Sequence, residues 1–425
     1  MNRSGQNKIR SPLGRLEFTS LLAMSMALAA LGIDLMLPAF GAIRSDLGLS
    51  ADSTAVAGMV TAYFVGLAVG QLGYGPIADR YGRKPALYIG YAIYAVGALA
   101  AALSPTLPLL LISRLVWGLG AAGPRVVTMA VVRDSYEGEQ MSRAMSFIMA
   151  VFILVPVIAP ALGAVIVAIG SWRWIFGTCM LAVSGMALWA VRLPETLHEE
   201  HRAELRFGRV LTAARFVASN RQTVTYAFAM TALYGSFSSY LASSEIIFGE
   251  TFDRAGSFPM IFGGLALVMG GAMLTNAQVV GRIGTRRLAH GVLLAYVAIA
   301  AALAIIAVMF GGTPPLWVFL VAMAAMLSSH ALLIPNFNSM AMAPMAAVAG
   351  TASSVIGAVQ IAIGALLGAL LDRAFDGTIR PLAFGFLGYG LVALGLVLWG
   401  ERGRLFAPLA DPGVLLAEQP VVAEA

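Results

Sequence analysis

Twelve long apolar runs dominate the sequence, and each is long enough to cross a lipid bilayer as a helix. A spanning helix needs about 20 mostly apolar residues. Only helices and closed barrels satisfy their backbone hydrogen bonds in lipid, and barrel strands alternate polar and apolar residues, which these runs do not. The sequence therefore predicts an all-α membrane protein with twelve transmembrane segments, at residues 18–42, 54–77, 85–104, 107–132, 143–169, 172–192, 222–248, 257–280, 287–311, 314–337, 346–371 and 380–400.

The composition excludes the common classes of soluble protein. Charged residues make up 11% of the chain and apolar residues 59%, whereas a soluble domain carries roughly 25% charged residues. So little charge cannot coat a soluble enzyme or a nucleic-acid-binding protein of this length. The single cysteine, Cys179, excludes a disulfide within the chain and a cysteine metal site. We expect no metal, no cofactor and no enzymatic activity.

Three glycines imitate a nucleotide-binding motif. Gly118, Gly120 and Gly123 satisfy the pattern GxGxxG, but they lie inside the fourth apolar segment with no strand before them. That pattern binds a dinucleotide only in a strand–turn–helix context. We interpret these glycines as close contacts between helices. The sequence also has no GxxxxGK[ST] motif, so nothing supports ATP-driven activity.

A polar stretch at residues 193–221 divides the segments six and six. The loop DRYGRK at residues 79–84 returns in weaker form as GRIGTRR at residues 281–287. Such internal repeats are typical of transporters. We predict an N-terminal six-helix half at 1–192, a cytoplasmic linker at 193–221, a C-terminal six-helix half at 222–400 and a cytoplasmic tail at 401–425.

The basic residues predict the orientation of the chain in the membrane. Most Lys and Arg residues lie in the termini, in the linker and in the loops on the same side of the bilayer. Basic loops accumulate on the cytoplasmic side. We therefore expect a multi-pass protein of the bacterial cytoplasmic (inner) membrane, surrounded by lipid, with both termini in the cytoplasm. We expect it to be a monomer.

Asp34 is the most informative residue, because apolar sequence flanks it deep in the first segment. A carboxylate there costs several kcal/mol unless it is solvated, paired or protonated, and acids within membranes are functional by default. Proton coupling requires a carboxyl group that takes up a proton from one side and releases it to the other. The alternative is a structural aspartate that is hydrogen-bonded to a neighbouring helix.

Two arginines lie within the fourth segment, Arg114 and Arg125. Their spacing corresponds to about 16 Å along a helix axis. Because arginine stays charged, each needs water, an acid or a carbonyl oxygen. We expect Arg114 at the depth of Asp34, close enough to influence its proton, and Arg125 in the inner half. The alternative for both is extension of the side chain to the nearest interface.

The loop after the second segment predicts a charge latch that holds one conformation and opens in another. Its tight turn needs Gly82, and Asp79 can pair with basic groups or cap a helix. The alternative is an ordinary basic cytoplasmic loop. Gly281 stands in the second half where the first half has Asp79, so we expect an acid to latch only the first half. The predicted latch residues are Gly75, Asp79, Arg80, Gly82, Arg83 and Lys84.

Further candidates lie in the fifth and later segments. Pro156 and Pro160, followed by Gly163, predict a kink that is either passive curvature or a flexing gate. The seventh segment is rich in serine, which suits a helix lining a wet cavity, and we interpret Glu245 near its end as an interfacial acid. His330 is a single histidine, and such residues are more often structural. The candidate cavity residues are Trp117, Arg125, Tyr234, Ser238, His330, Asn336 and Gln360.

Several of these motifs together resemble a known family. The sequence GPIADRYGRK at 75–84 resembles the loop signature of the major facilitator superfamily. Further motifs of this chain are similar to those of the twelve-helix drug:proton antiporters. They are IDLMLP at 33–38, Arg114, VRD at 132–134, APALG at 159–163 and AGTASS at 349–354. The order and spacing are closest to the bicyclomycin and chloramphenicol resistance (Bcr/CflA) subfamily, and the resemblance covers nearly the whole chain.

The resemblance implies the major facilitator fold and a rocker-switch exporter driven by the proton gradient. It implies that Asp34 binds proton and substrate and that Arg114 is the arginine of the fourth-segment motif. It also implies that Asp79 and Arg83 belong to the conformational latch, and that residues 159–163 form the antiporter motif. One departure is Trp117, which replaces the glutamine of the fourth-segment motif and removes a polar partner. Another is an alanine in place of glycine before the proline of the antiporter motif.

The predicted function is therefore proton-coupled efflux. The chain would export small amphipathic drugs, amphenicol-like, bicyclomycin-like or more varied, from the cytoplasm by alternating access. Its partners would be a small-molecule substrate and protons, with no nucleic acid. The alternative on the same fold is a proton-coupled transporter of one metabolite, such as a sugar or an amino acid. A membrane-embedded enzyme or sensor has no motif in its favour.

Overall fold

The computed structural model describes residues 13–202 and 208–406, and these residues form helices and no strand. The predicted tail beyond residue 406 lies outside the described residues. The described α-helices are α1 (Arg15–Asp34), α2 (Phe40–Asp46), α3 (Gly58–Tyr81), α4 (Arg83–Leu103), α5 (Leu107–Ser135), α6 (Gly138–Ile169), α7 (Arg173–Trp189), α8 (Gly208–Ser219), α9 (Arg221–Ile246), α10 (Phe258–Ile283), α11 (Thr285–Met309), α12 (Leu316–Met342), α13 (Ala349–Asp372) and α14 (Arg380–Gly400).

The helix order reproduces the predicted segments. Helices α1 and α2 together make the first segment, α8 lies in the predicted linker, and the others follow in sequence. In the described part of the chain, eleven helical stretches are long and apolar enough to cross a membrane. Helix α9 is the seventh segment and has 26 residues, about 39 Å. Its many serines and threonines lower its hydropathy, so it is not among the eleven.

The first segment is broken just after Asp34. Helix α1 ends at that residue, a 3-10 turn covers Leu37–Ala39, and α2 begins at Phe40. Pro38 explains the break, because it has no backbone N–H to donate to the Asp34 carbonyl and its ring would clash with that carbonyl. The sequence thus places the carboxyl group of Asp34 at the point where the helix ends.

Helix α6 packs directly on this break. It is one continuous helix that contains both Pro156 and Pro160. A Cβ atom at Gly163 would lie 2.0 Å from the carbonyl oxygen of Leu35, a distance that no side chain could occupy. Gly163 therefore allows the backbone of α6 to contact the residue that follows Asp34.

The helices divide into two bundles that meet along two seams. We call α1–α7 the first half and α9–α14 the second half. Helix α5 packs mainly on α3 and α4, and α9 packs mainly on α13 and α14. Between the halves, α3 packs on α13 and α6 packs on α10. At the α6–α10 seam the two helices approach closely, since a Cβ added at Gly263 would lie only 2.9 Å from the Val157 carbonyl oxygen.

The two ends of the bundle differ in how the halves are connected. We call the end where α3 passes into α4 the latch end, and the end where α2 and α9 finish the distal end. At the distal end, Arg44 donates to both carboxylate oxygens of Glu245 at 2.9 and 2.7 Å. Both side chains are largely buried, at 7% and 14% exposed. Glu245 is thus not an isolated interfacial acid, but half of an ion pair that joins the two halves.

Candidate functional site

A cavity of about 320 Å³ lies between the two halves, a volume typical of small-molecule sites. Helices α1, α3, α5 and α6 form one wall, and α9, α10, α12 and α13 form the other. Most of the lining is aliphatic, aromatic or methionine. Among the described residues that line it, Asp34 is the one carboxylic acid, and Arg125 is the one residue of the lysine and arginine types. The remaining polar lining residues are Tyr234, Tyr240, His330 and Gln360.

Asp34 lies in the wall of this cavity with 4% of its surface exposed. Its carboxyl group makes no hydrogen bond or ion pair with any residue that the structure describes. Tyr240 of α9 lines the same cavity. The alternative interpretation, a structural aspartate that is hydrogen-bonded to a neighbouring helix, is therefore not supported, because no described residue is its partner. A carboxyl group without a partner in an apolar wall needs a proton or a bound ligand to offset its lost hydration.

Arg125 is the cation of the cavity. Its guanidinium group makes no ion pair or hydrogen bond with a described side chain or carbonyl, and Tyr234 lies within electrostatic range. The ring of Tyr234 contacts Phe64 at a centroid distance of 5.6 Å and so bridges the two halves. Arg125 is therefore placed to meet whatever occupies the cavity, and it does not extend to an interface.

Arg114 lies elsewhere, although its depth along α5 is similar to that of Asp34. It is fully buried, and its guanidinium carbon stands 4.4 Å from the ring centre of Tyr63 and 4.6 Å from that of Trp117. The Tyr63 hydroxyl donates to the Ala29 carbonyl at 2.9 Å, so this ring lies between Arg114 and α1. Arg114 does not line the cavity. It makes cation–π interactions within the first half, and its Nε donates to the Met59 carbonyl at 3.4 Å.

Trp117 also lies inside the first half and not at the cavity wall. Its ring is fully buried and makes edge contacts with Tyr63, Tyr94 and Phe176, at centroid distances of 6.2, 5.2 and 5.6 Å. Edge-to-face contacts of this kind stabilise cores. The resemblance suggested Trp117 as a cavity residue, because it replaces the glutamine of the fourth-segment motif; the structure instead buries it with Arg114 in one aromatic cluster.

Three of the second-half candidates do line the cavity. Tyr234, His330 and Gln360 face it from α9, α12 and α13. The His330 ring stacks on Phe237 with centroids 4.6 Å apart. This contact gives the histidine a packing role as well as a place at the cavity wall.

Ser238 and Asn336 do not line the cavity. Residues 234, 237, 240 and 241 line the cavity from α9. Ser238 packs against α13 instead, where a Cβ added at Gly368 would lie 3.0 Å from the Cβ of Ser238. Small residues there permit close packing of α9 on α13. Asn336 donates to Asn276 at 2.8 Å and so connects α12 to α10. The serine-rich face of α9 is therefore a packing surface within the second half.

Among the antiporter-motif residues, Pro156 lines the cavity, whereas Pro160 and Gly163 lie next to it. Pro160 is buried in α6, and Gly163 forms the close contact with the segment after Asp34 described above. The structure thus brings this motif and Asp34 together at the packing surface of α6 and α1.

The predicted latch assembles around Arg83 within the first half. Its guanidinium group donates to Asp79 at 2.5 Å and to Asp134 at 2.8 Å. Asp79 lies in the last turn of α3 and Asp134 in the last turn of α5, so the arginine at the start of α4 joins three helices. Asp134 was not among the predicted latch residues, although the VRD motif at 132–134 contains it.

Glu195 completes the latch, and no motif in the sequence marks it. Its carboxylate accepts from the backbone N–H groups of Arg83 and Lys84 at 2.8 and 3.1 Å, which caps the start of α4. Gly82 has φ 110°, and a Cβ there would meet this carboxylate at 2.4 Å. Lys84 donates to the Val191 carbonyl at 2.7 Å.

Two predicted latch residues stand apart from this cluster. Arg80 is exposed and makes no ion pair or hydrogen bond with a described residue. A Cβ at Gly75 would meet nothing within 4 Å, so no close contact of the described chain requires glycine there.

Asp372 is a second buried acid, and it was not among the residues predicted from the sequence. It is 5% exposed and ends α13, one residue beyond the predicted segment. Its carboxylate accepts a hydrogen bond from Ser239 at 2.6 Å. Asp372 does not line the cavity, so it is a bonded acid inside the second half, in contrast to Asp34. No cluster of three or more metal-ligating acids, histidines or cysteines occurs among the described residues.

Comparisons with known proteins agree with this architecture. The chain matches the Major Facilitator Superfamily over residues 22–369, which is more than half its length. It is 30% identical to the chloramphenicol resistance protein of Pseudomonas aeruginosa, covering 90% of this chain and 91% of that protein. It is 28% identical to a bicyclomycin resistance protein homolog of Haemophilus influenzae, covering 86% of this chain and 92% of that protein.

A solved structure shares the fold. The D-xylose-proton symporter superposes with a TM-score of 0.72 at 14% identity, covering 92% of this chain and 99% of that one. The predicted all-α membrane fold and the resemblance stated from the motifs are both confirmed. A helical bundle with a central cavity and a sequence match over most of its length identify this chain as a transporter, and not an enzyme, of the Major Facilitator Superfamily.

Proposed function

We propose that this protein is a proton-coupled antiporter that exports small amphipathic drugs from the cytoplasm by alternating access. The observation that carries the proposal is the carboxyl group of Asp34, which lies in the wall of an aromatic cavity without a partner in the described chain. The names of two relatives, which refer to chloramphenicol and bicyclomycin resistance, support the class of substrate.

The surroundings of Asp34 favour an exchange of proton for substrate. An ionised carboxylate in an apolar wall loses its hydration and requires compensation. A proton gives that compensation in one state, and a cationic or hydrogen-bond-donating substrate gives it in the other. Because the two occupy the same carboxyl group, binding of one releases the other, and no covalent step is needed.

Two contacts support a rocking motion of the halves around this cavity. The buried Arg44–Glu245 pair closes the distal end, whereas the ion pairs around Arg83 at the latch end join parts of the first half. We propose that the latch end faces the cytoplasm, following the bias of the basic residues. Substrate would then enter the cavity from the latch end in this conformation, and rupture of the distal pair would open the other side.

Proton release from inside-out vesicles with an imposed pH gradient tests the proposal. Wild type is compared with Asp34→Asn on a panel of amphenicols, bicyclomycin and cationic dyes. Asp372→Asn is the matched control, because it neutralises another buried acid that does not line the cavity and retains an acceptor for Ser239. We expect at least one compound to dissipate the gradient with wild type and with Asp372→Asn, and Asp34→Asn to reduce the response at least about tenfold.

Two results would contradict parts of the proposal. An equal response of wild type and Asp34→Asn would leave transport intact and remove Asp34 from its coupling. A wild type that responds to a sugar or an amino acid, and to none of the drugs, would identify a dedicated metabolite transporter on the same fold.

A further inference from the structure

The cavity wall carries two opposite charges that do not neutralise each other. Asp34 of α1 and Arg125 of α5 both line it, and neither forms an ion pair or a hydrogen bond with a described residue. A buried carboxylate without a partner is costly, and the half-buried guanidinium of Arg125 still needs water or an anion. In this transporter, two such groups facing one cavity indicate that the ligand supplies the missing partners.

The two charges lie at different depths of the cavity. Helices α1 and α5 run in opposite directions, and the Thr128 hydroxyl on α5 donates to the Leu22 carbonyl on α1 at 3.4 Å. Arg125 is therefore level with about residue 25 of α1. Asp34 lies nine residues further on, which corresponds to about 14 Å along the axis. Even with the reach of the arginine side chain, one small charged group cannot satisfy both residues.

The wall between the two charges is suited to a flat apolar body. Phe64, Phe237, Tyr240 and Phe262 line it together with Met269 and Met273. Aromatic faces and flexible methionine side chains accommodate ring systems of varied shape. The described part of the second half contributes no Asp, Glu, Lys or Arg to the lining, so both charged contacts of a ligand would be made with the first half.

We propose that this cavity selects dipolar amphipathic ligands. Their amine or other cationic group would bind Asp34, a carboxylate or phosphate would bind Arg125, and an aromatic body would fill the space between them. Arginine suits the anionic end because its planar guanidinium binds carboxylate and phosphate with two parallel hydrogen bonds. An acid without an amine is disfavoured, since it would add a negative charge while leaving the Asp34 carboxylate unpaired. This inference rests on the proposed function and adds to it the ligand class that this cavity would bind most tightly, whereas uncharged or purely cationic drugs would use only part of the site.

A matched set of four probes tests the inference by binding. The parent is an aminomethyl naphthoic acid with its amine and carboxylate on opposite sides of the ring. The others are its methyl ester, its N-acetyl derivative and the doubly capped compound. Binding is measured by calorimetry on the full chain in nanodiscs, for wild type, Asp34→Asn, Arg125→Gln and Arg125→Lys. Arg143→Gln is the control, because its side chain is 78% exposed and far from the cavity lining.

We expect wild type and Arg143→Gln to bind the parent at least about tenfold more tightly than either singly capped probe, as charge-assisted hydrogen bonds would require. In Arg125→Gln the methyl ester should bind as well as the parent, while N-acetylation should still weaken binding. In Asp34→Asn the N-acetyl derivative should bind as well as the parent, while methyl esterification should still weaken binding. Arg125→Lys should keep part of the preference for the free acid, since it retains the charge and loses the planar geometry.

Two results overturn the inference. The first is equal binding of all four probes, or of none, to wild type. The second is an Arg125→Gln variant that weakens every probe by the same factor, which would make Arg125 a structural residue. Binding is read without transport, so the proposed function fails separately: a chain that shows the expected binding pattern but no drug-linked proton release retains the dipolar site and loses the antiport.

Discussion

The two halves make the same turn at the latch end but stabilise it with different acids. In the first half, α3 passes into α4 through Gly82, and in the second half, α10 passes into α11 through Gly284. Both glycines have positive φ, at 110° and 83°, a conformation that other residues rarely adopt. The repeated turn therefore needs little more than glycine and two helices, and the ion pairs around it were free to diverge.

The acid of the second half comes from a distant part of the chain. Arg286 at the start of α11 forms an ion pair with Glu401, which follows the end of α14. The Tyr226 hydroxyl of α9 donates to the same carboxylate and lies 3.1 Å from Nε2 of His290. We call these four residues the second cluster, and Asp79, Arg83, Asp134 and Glu195 the first cluster. An acid therefore also pairs with a basic residue at the second-half turn, although it does not come from the position equivalent to Asp79, which is Gly281.

Burial distinguishes the two clusters. In the second cluster, the side chains of Arg286 and Glu401 are 15% and 8% exposed. In the first cluster, Arg83 is 10% exposed, but its partners Asp79 and Asp134 are 52% and 23% exposed. Water can replace a partner in the first cluster at low cost, whereas a broken pair in the second cluster would leave buried charge. We infer that the second cluster is a structural tie and that the first is able to open during transport.

The largest expected effect is on stability, in Glu401→Ala. The substitution removes the acid of a largely buried ion pair and the acceptor of Tyr226, which costs about 3–5 kcal/mol. Thermal unfolding of the purified protein in detergent should show a marked drop in Tm. Glu401→Gln should lose less, because the amide oxygen still accepts from Tyr226.

An exposed acid is the matched control for this prediction. Glu199 is 89% exposed and lies 3.8 Å from Arg202, so Glu199→Ala should change stability by less than about 0.5 kcal/mol. If Glu401→Ala unfolded at the same temperature as this control, the second cluster would not be a structural tie.

The next effect is on transport rate, in Arg83→Gln. The variant keeps the fold, because water can hydrate the exposed acids around it, and we expect a loss of stability of about 1–2 kcal/mol. The first cluster then no longer holds α3, α4 and α5 together in one conformation, so drug-driven proton release should fall about tenfold. Arg80→Gln, next to it and exposed, should transport like wild type.

If the second cluster is a structural tie and the first opens during transport, Glu401→Gln and Arg83→Gln should affect Tm and transport rate in opposite proportions. Glu401→Gln should lower Tm more than it lowers the transport rate of the protein that remains folded, and Arg83→Gln should do the reverse. A larger stability loss for Arg83→Gln than for Glu401→Gln, with an unchanged transport rate, would exchange the roles of the clusters.

The sequence predicted most of the fold, because length and hydropathy are local properties. The apolar runs anticipated the spanning helices, and Pro38 explains the break after Asp34 that hydropathy alone did not reveal. Hydropathy also marks the seventh segment less clearly than the others, because the serines of α9 face the interior of the second half. We predicted that these serines face a wet cavity. The sequence contains no sign that distinguishes a serine facing such a cavity from one facing the interior of a helix bundle.

The site was predictable only in part, for the same reason. Asp34 and Arg125 stand out because charges in apolar helices are conspicuous wherever they point. Trp117 and Ser238 were misplaced because a helix in such a bundle is apolar on the faces toward its own half, toward the cavity and toward lipid. Glu401 could not be paired with Arg286 from local sequence, because more than a hundred residues separate them.

The smallest expected effect comes from rebuilding the first-half pair in the second half. Asp79 and Arg83 are four residues apart across the turn, and the equivalent positions in the second half are Gly281 and Thr285. A Cβ at Gly281 would meet nothing within 4 Å, so Gly281→Asp fits without strain. Combined with Thr285→Arg, it should form an exposed pair with a coupling energy of about 0.5 kcal/mol in a double-mutant cycle of thermal stability.

The size of this coupling tests why the clusters differ. The cycle cancels the gain in helix propensity from replacing glycine, so what remains is the pair itself. A coupling near 0.5 kcal/mol at this exposed position would support burial as the origin of the difference. A coupling above about 2 kcal/mol would show that an exposed pair at this turn is as strong as a buried one. The turn geometry would then set the strength of both clusters, and the first would be as much a structural tie as the second.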